Sequence, residues 1–71
     1  MPKLYSSDEI IKILLDNDFL FVSQKGSHTK YRKEGNPVLT VIVPADRKQI
    51  PIGTFNSILR QSGLTRADFE K

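Results

Sequence analysis

The chain contains no cysteine and a single histidine among its 71 residues. Without cysteine it can form neither a disulfide framework nor a cysteine-rich zinc site. One histidine is too few for a compact histidine-based metal site. We therefore expect no metal and no cofactor, and a cytoplasmic location, since nothing in the composition requires an oxidising compartment.

Long hydrophobic runs are also missing. The longest apolar stretch, Phe19–Val22, is far too short to cross a bilayer. The N-terminal residues Met1–Tyr5 lack the apolar segment of a signal peptide, so we expect no targeting sequence and no membrane association. The length predicts one domain spanning residues 1–71, with a thin core because so short a chain buries only about 60% of its unfolded surface.

Positive charge is concentrated in the middle of the chain. Residues 19–48 hold six cations against two anions, a net charge of +4, whereas the whole chain carries +3. A basic segment in a weakly basic chain is typical of a protein that binds a polyanion. A solvated, lysine-rich hairpin is the alternative.

The predicted elements begin with an amphipathic helix. Ser6-Ser7-Asp8-Glu9 fits a capping box, and apolar residues at helical spacing carry the helix to about Asn17-Asp18. Three strands follow, at 19–24, about 28–33 and 38–43, separated by turn signals at Lys25-Gly26-Ser27 and Glu34–Pro37.

A second helix is predicted from Gly53-Thr54 to Gly63, which suits a left-handed cap of the Schellman type with Leu64 against Leu59. Thr65 and Asp68 then cap a short helical turn around 67–69. Helix, three antiparallel strands and helix predict an α+β two-layer sandwich with two helices on one face of the sheet.

Strands 1 and 3 are apolar on both faces, which exceeds what a sheet with one solvated face requires. Either the chain termini cover the second face or a protein partner does.

The segment from Lys25 to Arg32 is the strongest candidate for chemistry. Gly26 permits a tight turn and close approach of a ligand, with Ser27 beside it. Strand alternation then places His28, Lys30 and Arg32 on one side. A neutral imidazole can accept a proton while Lys25, Lys30 and Arg32 hold a phosphate beside it. The alternative is an exposed strand histidine without a role.

This arrangement suits RNA cleavage by internal attack. RNA supplies its own nucleophile, the 2′-hydroxyl, so the protein needs a proton acceptor, positioning and charge stabilisation. A second phosphate site is predicted at the start of helix 2, where Arg47 and Lys48 precede the free N–H groups near Gly53-Thr54. Alternatively, Gly53 only permits a bend and Thr54 only caps the helix.

Three segments of the sequence form a specific set of motifs: Gly26-Ser27-His28-Thr29-Lys30-Tyr31, Thr40-Val41-Ile42-Val43-Pro44 and Gly53-Thr54-Phe55-Asn56-Ser57-Ile58-Leu59-Arg60-Gln61-Ser62-Gly63-Leu64. By these motifs the chain resembles the HicA family of bacterial toxins, and the resemblance extends from the first helix through Phe69.

The resemblance implies a fold similar to double-stranded-RNA-binding domains, α-β-β-β-α. It implies a ribosome-independent mRNA interferase whose catalytic histidine corresponds to His28. It also implies a HicB-type antitoxin that binds the toxin in a hetero-oligomeric complex and blocks this histidine. We expect the free toxin to be a monomer.

The sequence departs from the family pattern at two positions. Family members often carry a histidine in a V-P-x-H pattern where this chain has Asp46. They also often have glycine where Asp18 stands, although aspartate tolerates the left-handed conformation.

Three hypotheses follow from the sequence. The first is an RNA endonuclease toxin with His28 as base. The second is a double-stranded-RNA-binding module without catalysis, which reads backbone shape and 2′-hydroxyls. The third is a protein-interaction subunit whose charge is incidental.

Overall fold

A computed structural model describes residues 3–70 of the chain. Met1, Pro2 and Lys71, which belong to the predicted domain, lie outside the described residues. The described elements are, in order, α1 (Ser7–Asp16), β1 (Leu20–Lys25), β2 (His28–Lys33), β3 (Leu39–Pro44), α2 (Ile52–Ser62) and α3 (Arg66–Phe69).

The three strands form one antiparallel sheet in the order β1-β2-β3. The helices pack mainly against β3, so that Thr29, Tyr31, Val41 and Val43 are buried on the helix-covered face. The other face, which we call the open face, carries the exposed His28 side chain. The predicted α+β two-layer sandwich is confirmed.

An aromatic cluster joins the two ends of the chain in the core. Tyr5 stacks on Phe55 with ring centroids 5.2 Å apart, and Phe69 meets Phe55 edge-on at 5.1 Å. The N-terminal segment is also held by the Ile50 N–H, which donates to the Tyr5 carbonyl at 2.7 Å. The periodicity of the sequence did not predict this role for Tyr5 or Ile50.

The capping box of α1 is confirmed. The Glu9 N–H donates to Ser6 Oγ at 3.1 Å, and the Ser6 N–H donates to the Glu9 carboxylate at 2.9 Å. That N–H lowers the pKa of Glu9 below its ordinary value of 4.5, and Lys3 lowers the pKa further, although desolvation opposes the shift.

We expect this shift to make stability depend on pH. A carboxyl group whose pKa is lower in the folded state contributes stability above its unfolded pKa, and this contribution is lost as the pH falls through the folded pKa. Glu9→Gln keeps an acceptor for the Ser6 N–H but cannot titrate. Urea unfolding between pH 7 and pH 3 should therefore give a shallower acid slope for Glu9→Gln; equal slopes would contradict the assignment.

The C-terminus of α1, and not that of α2, forms a Schellman motif. Asp18 is left-handed, with φ 73°, and its N–H donates to the Leu15 carbonyl at 3.2 Å. The Phe19 N–H donates to the Leu14 carbonyl at 3.0 Å, which is the second bond of the motif. The left-handed backbone at Asp18 explains why glycine, which adopts this conformation without strain, suits position 18.

The second helix begins earlier than predicted, whereas its predicted end at a left-handed Gly63 is confirmed, although without the Schellman motif. It begins at Ile52 with Pro51 as N-cap and without a side-chain cap, so Thr54 is its third residue and does not cap it. At the other end the left-handed Gly63 donates its N–H to the Leu59 carbonyl at 3.0 Å, the bond of the simpler αL motif. The Leu64 N–H donates to Ser62 Oγ at 3.1 Å and therefore does not form the second bond of a Schellman motif.

Candidate active site

The turn between β1 and β2 is a two-residue loop. Lys25 and His28 are paired across the ladder, which leaves Gly26 and Ser27 as the central residues. Gly26 has φ 59°, whereas Ser27 is not left-handed. A positive φ at the first central residue alone is the pattern of a type II′ turn, which matches the twist of a hairpin.

We expect Gly26→Ala to lower the free energy of unfolding by about 1 kcal/mol, because an L-residue is strained in this conformation. An added Cβ meets no atom within 4 Å, so the loss comes from backbone strain and not from a steric clash. Gly53→Ala is the matched control, since Gly53 also has open space but lies in a helix, where alanine stabilises by up to about 1 kcal/mol. Urea unfolding of both variants checks the opposite signs.

His28 is the first residue of the central strand. Lys25 of β1 is its partner on one side and Pro44 of β3 on the other. Its side chain is exposed, as is that of Arg32, and Lys30 between them is half-buried. Thr29 and Tyr31 are buried on the opposite face. The alternation predicted from the sequence is therefore confirmed, and it places an imidazole and three cations on the open face or at its turn.

The cations around His28 have no acidic partner. Across residues 3–70 the one ion pair is Lys3–Glu9, on the N-terminal side of α1. Within residues 3–70, Lys25, Lys30 and Arg32 are therefore not compensated by an ion pair and can contact an external anion. The arrangement can bind phosphate on the open face next to an accessible imidazole.

Ser7 supports the strand end beside His28. It is buried, and its Oγ donates to the Pro44 carbonyl at 2.6 Å and accepts from the Arg47 N–H at 2.9 Å. Its own N–H donates to the Arg47 carbonyl at 2.9 Å. The Ala45 N–H then donates to the Ser27 carbonyl at 2.6 Å, so the β3–α2 loop is tied both to α1 and to the turn.

Sequence reasoning missed this role of Ser7. Its hydroxyl partners lie 37 and 40 residues away, and a serine in the first turn of a helix is usually solvated. Within the sequence we find no signal that distinguishes Ser7 from Ser6.

The second predicted phosphate site spans the β3–α2 loop and the first turn of α2. The loop that carries the exposed Arg47 and Lys48 leaves β3 at Pro44, the residue beside His28. Thr54 is half-buried on α2, which packs on the covered face of the sheet. Arg47 and Lys48 therefore follow the end of the sheet that carries His28, and Thr54 follows them in the first turn of α2.

The candidate site lies on an exposed surface, where the side chains of Lys25, His28 and Arg32 are exposed. A cleft does exist between the N-terminal segment, α1 and α3, but the residues lining it include none of the predicted site: Lys3, Tyr5, Glu9, Lys12, Ile13, Asp16, Asn17, Asp68 and Phe69. Over residues 3–70 no group of three histidine or carboxylate side chains could hold a metal ion, and none of the helices there is long and apolar enough to cross a membrane.

The fold and the site together define a small α+β protein with a basic, unpaired sheet face and one accessible imidazole at a hairpin turn. The family model described as the HicA toxin of bacterial toxin–antitoxin matches residues 7–64, which is 58 of the 71 residues. The chain therefore belongs to the HicA toxin family and is a toxin of a bacterial toxin–antitoxin system. A search of curated proteins finds no match.

Proposed function

We propose that the toxin is a metal-independent, ribosome-independent RNA endonuclease, an mRNA interferase of the bacterial cytoplasm, with His28 as its general base. The observation that supports this proposal best is the position of His28. It is exposed at a tight turn, directly opposite Lys25, on a face whose cations have no acidic partner in residues 3–70.

The reaction needs no group that the chain lacks. His28 takes the proton of a ribose 2′-hydroxyl, and the 2′-oxygen attacks the adjacent phosphorus. The bond from phosphorus to the 5′-oxygen breaks, and that oxygen leaves as a hydroxyl with a proton from solvent. The products are a 2′,3′-cyclic phosphate and a 5′-hydroxyl end, and the His28 proton returns to water.

The cations have separate parts in this proposal. Lys25, Lys30 and Arg32 contact phosphates along the open face, and Lys25, directly opposite His28, stabilises the charge that develops on the phosphoryl oxygens. Gly26 and Ser27 bring the backbone of the turn close to the RNA. Arg47, Lys48 and Thr54 form a second set of phosphate contacts.

A toxin of this class requires an antitoxin. We propose a HicB-type protein that binds the toxin in a hetero-oligomeric complex and covers His28. The free toxin is then a monomer that binds mRNA.

The test uses the purified chain with a single-stranded RNA and its all-2′-deoxy counterpart, each with and without EDTA. We expect cleavage of the RNA alone, no effect of EDTA, and products with 2′,3′-cyclic phosphate ends. Loss of cleavage in EDTA would contradict a metal-independent reaction. Cleavage of the deoxy strand would contradict internal attack.

A binding titration with duplex RNA at several salt concentrations, beside the cleavage assay, decides between this proposal and a non-catalytic double-stranded-RNA-binding module. Binding of duplex RNA that weakens as salt rises, with no cleavage, would favour the module, because phosphate contacts release counterions. Absence of any salt-dependent binding would favour a protein-interaction subunit.

A further inference from the structure

Strand β1 has an exposed apolar edge. All six of its residues are exposed, and Leu20, Phe21 and Val22 are 67%, 56% and 41% accessible. Leu20 lies on the open face opposite Arg32, and Phe21 lies on the covered face beside Tyr31, so exposed apolar side chains flank this edge on both faces.

The two edges of the sheet differ in what covers them. At the β3 edge, α2 packs against the strand, and the Ile42 N–H donates to Gln61 Oε1 at 3.0 Å. At the β1 edge the sheet ends, and the neighbour of β1 is β2. An open edge strand presents unpaired backbone groups to which another strand can add. Lys25, at its end, is the one charged residue in β1.

The surroundings of β1 on the open face are cationic. Leu20 is paired with Arg32, Ser23 with Lys30 and Lys25 with His28. Strand β1 itself contains no carboxylate. A strand added here therefore meets apolar side chains along the edge and positive charge on the open face, which is complementary to an acidic segment.

We propose that β1 is the site where an extended segment of a protein partner, alternating apolar and acidic residues, adds as a fourth strand. This inference rests on the proposed function, because the partner is the antitoxin of that proposal. An added strand lies about 4.8 Å from β1. Its carboxylates then reach Lys25 and cover the open face beside His28, which excludes RNA phosphates.

The probe is a short synthetic peptide of alternating glutamate and valine, acetylated and amidated at its ends, added to the full chain. Amide hydrogen exchange measured by NMR should slow at least about tenfold at β1 when the peptide is saturating, because amides in a paired strand are protected. A second peptide with N-methylated valines has the same charge but cannot pair through its backbone. It should give no protection.

Leu20→Glu is the informative variant, because Leu20 is the most exposed of the three residues, whereas Phe21 contacts the buried Tyr31 with ring centroids 5.8 Å apart. We expect Leu20→Glu to weaken peptide binding at least about tenfold. Leu15→Glu changes a comparably apolar, 46% exposed residue on α1 and should bind the peptide as the parent chain does.

Three results would overturn the inference: no protection of β1, equal binding of the N-methylated peptide, or equal loss in Leu20→Glu and Leu15→Glu. Concentration-dependent protection of β1 without peptide would identify a second copy as the occupant instead. Protection of β1 by RNA alone would assign the edge to nucleic acid.

The inference and the proposed function fail separately. Leu20→Glu should keep the parent rate of cleavage at saturating protein, although its carboxylate lies opposite Arg32 and weakens RNA binding. If His28-dependent cleavage is found but the peptide does not bind, the docking site is wrong and the ribonuclease stands. If the peptide binds but no RNA is cleaved, the docking site stands and the ribonuclease is wrong.

Discussion

Replacement of His28 by alanine should lower the rate of RNA cleavage by about 10²- to 10⁴-fold, which is the contribution of one positioned general base. His28 is the only histidine of the chain, and the predicted site offers no second imidazole to replace it. The rate is measured under single-turnover conditions with saturating protein, so that a change in RNA affinity does not enter the result.

The fold should be unaffected by this substitution. The His28 side chain is exposed and makes no hydrogen bond within residues 3–70. An exposed substitution of this kind changes the free energy of unfolding by less than about 0.5 kcal/mol. Circular dichroism and urea unfolding of His28→Ala therefore separate loss of chemistry from loss of structure.

Arg32→Ala is the matched comparison on the same face. It removes a phosphate contact and leaves the imidazole, so RNA binding should weaken and its salt dependence should decrease by about one counterion. If His28→Ala cleaved RNA as fast as the parent chain, His28 would have no catalytic role. If Arg32→Ala behaved like His28→Ala in single turnover, the two residues would not have separate roles.

Replacement of Ser7 by alanine should lower the free energy of unfolding by about 2 kcal/mol. The buried Ser7 Oγ is a donor to the Pro44 carbonyl and an acceptor for the Arg47 N–H. Alanine removes both bonds, and an unsatisfied buried polar group costs about 1–3 kcal/mol. For a domain of this size the expected decrease in Tm is about 8–16 °C.

Two serines provide controls for Ser7→Ala. Ser6→Ala removes the N-cap of α1 and should cost about 1 kcal/mol. Ser23→Ala is exposed on β1 and should be nearly neutral. A loss in Ser7→Ala no greater than that in Ser23→Ala would show that the bonds to Pro44 and Arg47 do not stabilise the fold.

Local patterns predicted most of the secondary structure. The Ser6–Glu9 box starts α1, and the predicted limits of β2 match the structure. The predicted limits of β1 and β3 were wrong by one residue at each end, since Phe19 is a core residue before β1 and Pro44 still belongs to β3. Hydrophobicity alone does not show where strand pairing begins.

The sequence predicted those features of the candidate site that depend on neighbouring residues. The turn follows from the Lys25-Gly26-Ser27 signal, and the opposite faces of His28 and Thr29 follow from strand alternation, which involves neighbouring residues. The role of His28 in catalysis and of the cations in RNA binding stays a prediction. Family membership was recognised from motifs in the sequence, and the match over residues 7–64 confirms it.

The order of elements, their caps and the face of each β2 side chain were encoded locally, because each depends on residues a few positions apart. The tertiary structure decided what depends on distant residues. It brought Ser7 to Pro44 and Arg47, placed Tyr5 in the aromatic cluster and used Gln61 to close the β3 edge. It also left β1 uncovered. Such contacts join residues far apart in the chain, so no local pattern contains them.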